Sequence, residues 1–314
     1  PDVVAAAHRQ LDRFWHVSNL YWTEPMADLA DRLSARFGGA QAFFCNSGAE
    51  AVEAALKYAR KATGRHAVAA LEGSFHGRTL GALAVTGQPA KRQAFEPLAG
   101  PVSFARPNDD ASLAAAIGPE TGLVILEPVL GEGGVVPLEP AFLEAAAVLA
   151  AEHGALLAFD EIQTGVGRTG TFFAWEQAGV RPDLVTLAKG LANGLPLGCL
   201  LVADEAAGGF EPGDHASTFG GNPVACAAAC AVCDAIDEDL LARVGGYGEE
   251  LRAGLGRLGA VRESRGRGLL IGAELDRPAG AVVLECLEHG LLVTSAGERV
   301  LRLTPPLTIE RADI

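Results

Sequence analysis

The chain has 314 residues, 49% of them hydrophobic and 20% charged, a composition suited to one large globular core plus a smaller domain. Its 39 acidic residues against 25 basic ones give a formal net charge of -14, which repels phosphates and argues against nucleic acid or an anionic membrane as a partner. Gly, Pro or charge interrupts every apolar run before it reaches the roughly 20 residues that span a bilayer, and no basic segment leading into an apolar one marks a signal peptide.

In chain order, Ala42–Cys45 reads as a strand and Glu50–Lys61 as a helix. His66–Leu71, Leu123–Leu126, Leu156–Phe159 and Leu184–Leu187 read as further strands, with an amphipathic helix over Ala141–Glu152 between two of them. Fully apolar strands alternating with helices predict an α/β fold, its mainly parallel sheet covered on both faces. Beyond Pro223 the texture changes to a long Ala/Cys-rich helix and a charged helix around Asp237–Leu258. Short runs at Gly268–Leu275 and Leu291–Leu303 follow. This second part is expected to be a small α+β domain joined through the long helix. The expected division is 1–22 as an N-terminal interface segment of the small domain, 23–222 as the large domain and 223–314 as the small one.

Six cysteines do not make a disulfide framework in a chain of this size. Cys226, Cys230 and Cys233 share a helical face, but in an Ala-rich stretch without histidine they read as buried small hydrophobes, and no metal site is expected. Mostly unpaired thiols suit a reducing cytoplasm. The sequence opens on Pro1 and stops at Ile314 in mid-pattern, so a piece of a longer chain is expected.

The chemistry-bearing residues gather where apolar strands end. Leu156-Leu-Ala-Phe-Asp160 ends on an aspartate, and Leu184-Val-Thr-Leu-Ala-Lys189 ends on a lysine. A lysine amine able to form a Schiff base, beside a carboxylate that keeps a pyridine nitrogen protonated, is what a pyridoxal phosphate enzyme needs. Asn46-Ser-Gly48-Ala49-Glu50 stands between a strand and a helix, so Gly48 and Ala49 can offer free N–H groups to a phosphate. Ser47 and Glu50 also form a capping box, and both readings can hold together. In Gly73-Ser-Phe75-His76-Gly77-Arg78-Thr79 an aromatic could stack on a planar ring, and Arg78 could clamp a carboxylate.

Two other motifs are decoys. Gly165-Val-Gly-Arg-Thr-Gly170 has dinucleotide-fingerprint spacing, but it does not turn directly from a strand into a helix. Leu156–Glu161 resembles the Walker B acidic strand of a nucleoside triphosphatase, yet no G-x-x-x-x-G-K-(S/T) phosphate loop accompanies it.

Six segments occur in a familiar order: Cys45–Ala51, Ser74–Gly81, Glu127–Gly134, Phe159–Gly170, Ala188–Gly190 and Ser217–Asn222. Together they resemble the class III (ω-type) pyridoxal phosphate aminotransferases, and the likeness runs from about Pro1 to Pro306. The resemblance implies the fold type I architecture, with a mainly parallel central sheet, a smaller α+β domain and a homodimer that shares its active sites. It implies that Lys189 and Asp160 are catalytic. Gly48, Ala49, Phe75, Asp160, Glu161, Ile162, Gln163, Lys189 and Thr218 would bind the cofactor, Thr218 from the neighbouring subunit.

Arg78 and Ser217 would address the amine substrate, and Arg302 the α-carboxylate of glutamate or 2-oxoglutarate. Glu132 would pair with Arg302 while the other amine is bound. The activity implied is transfer of the δ-amino group of N2-acetyl-L-ornithine to 2-oxoglutarate, a step of arginine biosynthesis. Succinylornithine, ornithine, 4-aminobutyrate and a carrier-bound lysine are the alternative amines. Leu130 stands where the family pattern has glutamine, and Ala216 where glycine is common.

Overall fold

The computed structural model describes residues 1–314. In chain order the strands are β1 (Ala40–Cys45), β2 (Ala67–Leu71), β3 (Val102–Ala105), β4 (Thr121–Leu126), β5 (Val129–Leu130), β6 (Val136–Pro137), β7 (Leu156–Asp160), β8 (Leu184–Leu187), β9 (Gly198–Ala203), β10 (Val261–Arg267), β11 (Leu270–Leu275), β12 (Thr294–Ala296) and β13 (Val300–Leu303). One seven-stranded sheet carries the order β1-β9-β8-β7-β4-β2-β3. Strand β9 is antiparallel to both neighbours, and the other pairings in this sheet are parallel. Parallel neighbours end on the same edge, which is where such sheets bind ligands.

The apolar runs are strands because both faces of this sheet are covered. Leu157 and Phe159 of β7, with Val124 and Leu126 of β4, pack against Phe142, Leu143, Ala146 and Ala150 of the Pro140–His153 helix. The alternate residues Ala158, Leu123 and Ile125 pack on the other face with Val52, Ala55 and Ala59 of the Gly48–Thr63 helix. This is the period-2 alternation of a strand, with both phases apolar. Phe142 is fully buried between helix and sheet, and truncating it to alanine is expected to cost about 3–5 kcal/mol.

A second, four-stranded antiparallel sheet has the order β10-β11-β13-β12 and lies in the C-terminal third. Strand β13 carries Arg302, so this small sheet contributes to the site. The Pro223–Ala235 helix starts on Asn222, whose side chain accepts from the N–H groups of Val224 and Ala225. Its buried Cys226, Ala229, Val232 and Cys233 share one core with Val185, Leu187, Cys199 and Leu201 of β8 and β9. The change of composition at Pro223 therefore accompanies a helix that still packs on the large sheet.

Elements absent from the sequence reading include β3, β9, β10 and the helices Asp2–Leu11, Glu24–Phe37 and Ala279–Glu288. The run read as Leu291–Leu303 is two strands, β12 and β13, separated by a turn in which Gly297 has φ +71°. No helix is long and apolar enough to cross a membrane. All six cysteines are unpaired, and Cys226 and Cys233 are buried.

Candidate active site

Five strand ends meet around one cavity of about 390 Å3, within the roughly 300–1,000 Å3 usual for small-ligand sites. Its wall includes Gly48 and Ala49 after β1, Phe75 and His76 after β2, and Glu127 after β4. Asp160, Ile162 and Gln163 come from the end of β7, and Lys189 follows β8. A larger cavity of about 700 Å3 shares Ile162, Gln163 and Lys189 with it and reaches Glu132 and Arg302.

At the floor, Asp160 ends a buried strand and is itself buried. Its Oδ1 accepts from the Ile162 N–H and the Thr186 hydroxyl, each at 3.1 Å. Its Oδ2 lies 2.6 Å from His76 Nδ1. Burial pulls the imidazole pKa down, but hydrogen bonding and charge from Asp160 outweigh it and leave the value raised. The imidazole thus gives Asp160 Oδ2 a close buried partner. His76 Nε2 is buried without any partner.

Glu127 completes the floor. Its two oxygens accept from the N–H groups of Phe75 at 2.8 Å and Gly131 at 3.1 Å, tying two site loops together. Burial pushes its carboxyl up to about 7, Asp160 pushes the same way, and His76 opposes. His76 and Glu127 went unassigned in the sequence reading, although both stand just past strand ends, as Asp160 and Lys189 do. That position was the available signal.

Lys189 has φ +43°, a left-handed conformation unusual for a side-chain-bearing residue and of the kind that gathers at functional sites. Its side chain reaches water through the cleft, yet the walls remove much of its hydration. That desolvation draws its pKa below the ordinary lysine value, against the pull of Asp160, Glu127 and Glu132. A larger fraction of free amine near neutral pH results.

On the opposite wall, the Gly48–Thr63 helix begins on Ser47, whose hydroxyl accepts from the Glu50 N–H at 3.2 Å. The Glu50 carboxylate accepts from the N–H and amide of Asn46 at 3.0 and 2.9 Å. The capping box is therefore formed one residue wider than expected. The first-turn N–H groups of Gly48 and Ala49 keep no partner within the helix. A Cβ on Gly48 would stand 2.7 Å from Ile162 Cδ1, so any larger residue would push the Ile162 side chain aside.

At the mouth, Arg302 Nη1 donates to Glu132 Oε1 at 2.7 Å and also lies 3.3 Å from Gln163 Oε1. Burial raises the Glu132 carboxyl, but its bond to Arg302 outweighs that and holds it below the usual range. Arg78 is exposed, with its guanidinium 5.6 Å from the Phe75 ring centroid. Ser217 accepts from the Asn46 amide at 3.0 Å, which places it beside the helix start. Thr218 is exposed and lies outside the cavity wall.

Glu161, expected among the cofactor-binding residues, also lies outside that wall. It stands just past the end of β7, next to Asp160, and its side chain leaves on the opposite side. There it accepts from the N–H groups of Ala174 at 2.7 Å and Trp175 at 2.9 Å. Burial pushes its carboxyl up to about 8.

Residues 1–314 match the family described as Aminotransferase class-III. The chain belongs to the class-III aminotransferases. This aminotransferase is 49% identical over 319 residues to the acetylornithine aminotransferase of Mycolicibacterium smegmatis, covering all of the chain and 82% of that protein. It is 50% identical to the acetylornithine aminotransferase of Streptomyces coelicolor, over 98% of the chain and 78% of the relative. Among solved structures, the N-acetylornithine aminotransferase of Stenotrophomonas maltophilia matches all of the chain and 82% of its own length. Its TM-score is 0.85 at 36% identity. The ornithine aminotransferase of Toxoplasma gondii gives a TM-score of 0.94 at 32% identity, covering all of this chain and 78% of that one.

The aminotransferase is accordingly a pyridoxal-phosphate-dependent enzyme with the fold expected from its sequence. The cavity's donor set fits that cofactor. It offers a partly desolvated amine, a carboxylate backed by an imidazole, an aromatic wall and a helix start left close and open by Gly48.

Proposed function

We propose that this enzyme moves the δ-amino group of N2-acetyl-L-ornithine to 2-oxoglutarate, as a step of arginine biosynthesis. The observation that carries the reading is the Glu132–Arg302 pair at the mouth of the cavity that holds Lys189. One site must admit a δ-amine with no carboxylate beside its reacting carbon, and then glutamate, which has one. An arginine that is either closed by Glu132 or released to a substrate carboxylate serves both. The names of the relatives at about 50% identity support the same amine.

Bound pyridoxal phosphate supplies an electron sink for the carbon that loses its proton. Lys189 Nζ is the amine that holds the cofactor and then carries the proton from the substrate's reacting carbon. Asp160, held by His76, would face the ring nitrogen. Gln163 would bond the ring hydroxyl, and Phe75 and Ile162 would lie against the two ring faces. The Gly48 and Ala49 N–H groups would take the phosphate, aided by the helix dipole. Arg78 would hold the α-carboxylate of acetylornithine, with Ser217 beside it.

We also propose a homodimer that shares its sites. Trp15, Leu20, Tyr21, Trp22 and Phe219 are all more than half exposed. Asn222 donates to the Trp15 carbonyl at 3.0 Å, which joins the N-terminal segment to the turn bearing Thr218 and Phe219. An apolar surface of this kind fits a second copy, with Thr218 carried toward that copy's phosphate site. The unpaired cysteines fit a cytoplasmic location. The separate four-stranded sheet supports the division into 1–22, 23–222 and 223–314, with the Pro223–Ala235 helix as the joint.

Steady-state turnover of acetylornithine, succinylornithine, ornithine, 4-aminobutyrate and a carrier-bound lysine, with 2-oxoglutarate and added pyridoxal phosphate, tests the assignment. The expected result is the highest kcat/KM for acetylornithine. A preference for 4-aminobutyrate would overturn it, because that substrate gives Arg78 no α-carboxylate to hold.

A further inference from the structure

Glu132 has two cations within reach and bonds only one of them. Its Oε1 accepts from Arg302 at 2.7 Å, while its Oε2 lies 3.9 Å from the Lys91 ammonium. Lys91 comes from the short Pro89–Arg92 helix, on a different element from the strand that carries Arg302. Its side chain is only 25% exposed, and the ammonium sits 4.6 Å from the Phe75 ring centroid. Arg78 flanks the same ring. Burial draws the Lys91 pKa down, Glu132 opposes that, and Arg78 and Arg302 add to it. A lysine beside two other cations ordinarily turns to water. This one is held inward by the negative face of a ring and by a carboxylate it does not yet bond.

The next step rests on the exchange described under Proposed function. When Arg302 is released to the α-carboxylate of glutamate, Glu132 keeps its charge in a half-buried place and loses its partner. An ionised carboxylate left in that state is unfavourable, and the loss weighs against admitting the substrate. We propose that Lys91 is the standby partner of Glu132, receiving its carboxylate when Arg302 turns to the substrate, and so sets specificity for the glutamate half-reaction. At rest Glu132 has two cations within reach, Arg302 and Lys91. With glutamate bound, the α-carboxylate takes Arg302 and Glu132 takes Lys91. An ω-amine leaves the Glu132–Arg302 pair closed, and Lys91 then has no part to play.

The holoenzyme with Lys91→Met and with Lys91→Arg tests this, each half-reaction being followed separately by cofactor absorbance with glutamate or with acetylornithine. Lys91→Met is expected to raise KM for glutamate about fivefold. Its kcat and its KM for acetylornithine should stay close to the parent's, and Lys91→Arg should restore the glutamate value. An unchanged glutamate KM in Lys91→Met overturns the proposal, as does an equal rise for both amines, which would mean a general effect on the cleft. A parent active with glutamate but not acetylornithine removes the substrate reading alone, and 4-aminobutyrate then serves as the second amine. A parent inert to glutamate removes the exchange itself.

Discussion

The floor and the mouth of the cleft are built from the same residue types to different ends. At the floor, Asp160, His76 and Glu127 are buried, both carboxylates accept backbone N–H groups, and Asp160 also meets His76. Each oxygen of Asp160 already has a partner, so moving the group would strand several others. At the mouth, Glu132 and Arg302 are partly open to water, and a second cation waits beside the carboxylate. Breaking that pair loses little if another forms. Full burial with a partner on each carboxylate oxygen holds the group in place, whereas partial burial with surplus cations lets it change partners. The chemical step needs the first arrangement, and a site that takes two unlike amines needs the second.

Substitutions that separate the two regions give the sharpest tests. The largest effect is expected for Lys189→Ala, with turnover falling on the order of ten-thousand-fold or more and the near-visible cofactor band lost. A variant that transaminates like the parent would remove Lys189 from the mechanism. Next comes Asp160→Asn, which keeps the shape of the floor but removes the charge. Both half-reactions should slow on the order of a thousand-fold, and slowing of only one would place Asp160 with the mouth instead. Arg302→Gln should act on one side only, raising KM for 2-oxoglutarate by about 30-fold with the ω-amine half-reaction close to the parent's. Equal losses in both would erase the contrast between floor and mouth.

The smallest effect concerns Glu161, outside the cavity. Folding raises its carboxyl pKa to about 8, so between the ordinary glutamate value and that point the native state holds a proton that the unfolded chain releases. The parent's stability contribution from this group must therefore fall as pH rises through that window. Thermal melts of parent and Glu161→Gln at several pH values should show the variant gaining on the parent as the solution becomes more alkaline. A difference that shrinks with rising pH would contradict the assigned direction.

The strands that frame the floor were legible because both of their faces are buried. Leu123–Leu126, Leu156–Phe159 and Leu184–Leu187 cannot be anything but core segments, and each ends on or beside a chemical group. Gly198–Ala203 is equally apolar, yet strand, helix, strand alternation predicts only parallel neighbours, whereas β9 runs the other way with no α-helix between it and β8. The Glu24–Phe37 helix carried its own signs in Pro25 at the first turn and Gly38 at φ +86° after its end. Strand β3 is an edge strand of four residues, too short for its pattern to separate from loop.

At the site, Gly48, Ala49, Phe75, Asp160, Ile162, Gln163 and Lys189 are brought to one wall. Motif order led to them, whereas His76, Glu127 and Lys91 matter through contacts that span tens of residues in sequence. Periodicity reports which face a residue takes, but not which distant side chain meets it there. Glu161 shows the converse, since it stands next to Asp160 in sequence yet its carboxylate points away from the cavity.

The edge shared by β2, β4, β7 and β8 also acts as a ruler. Neighbouring strands in a sheet stand about 4.8 Å apart; Asp160 ends β7 and Lys189 stands two residues past its neighbour β8, so backbone pairing sets the interval between their strands. A longer or bulkier amine cannot be accommodated by stretching that interval. Diversity of substrate has to be written into the segments that overhang the edge, leaving the graduated base beneath them common to every chemistry the scaffold supports.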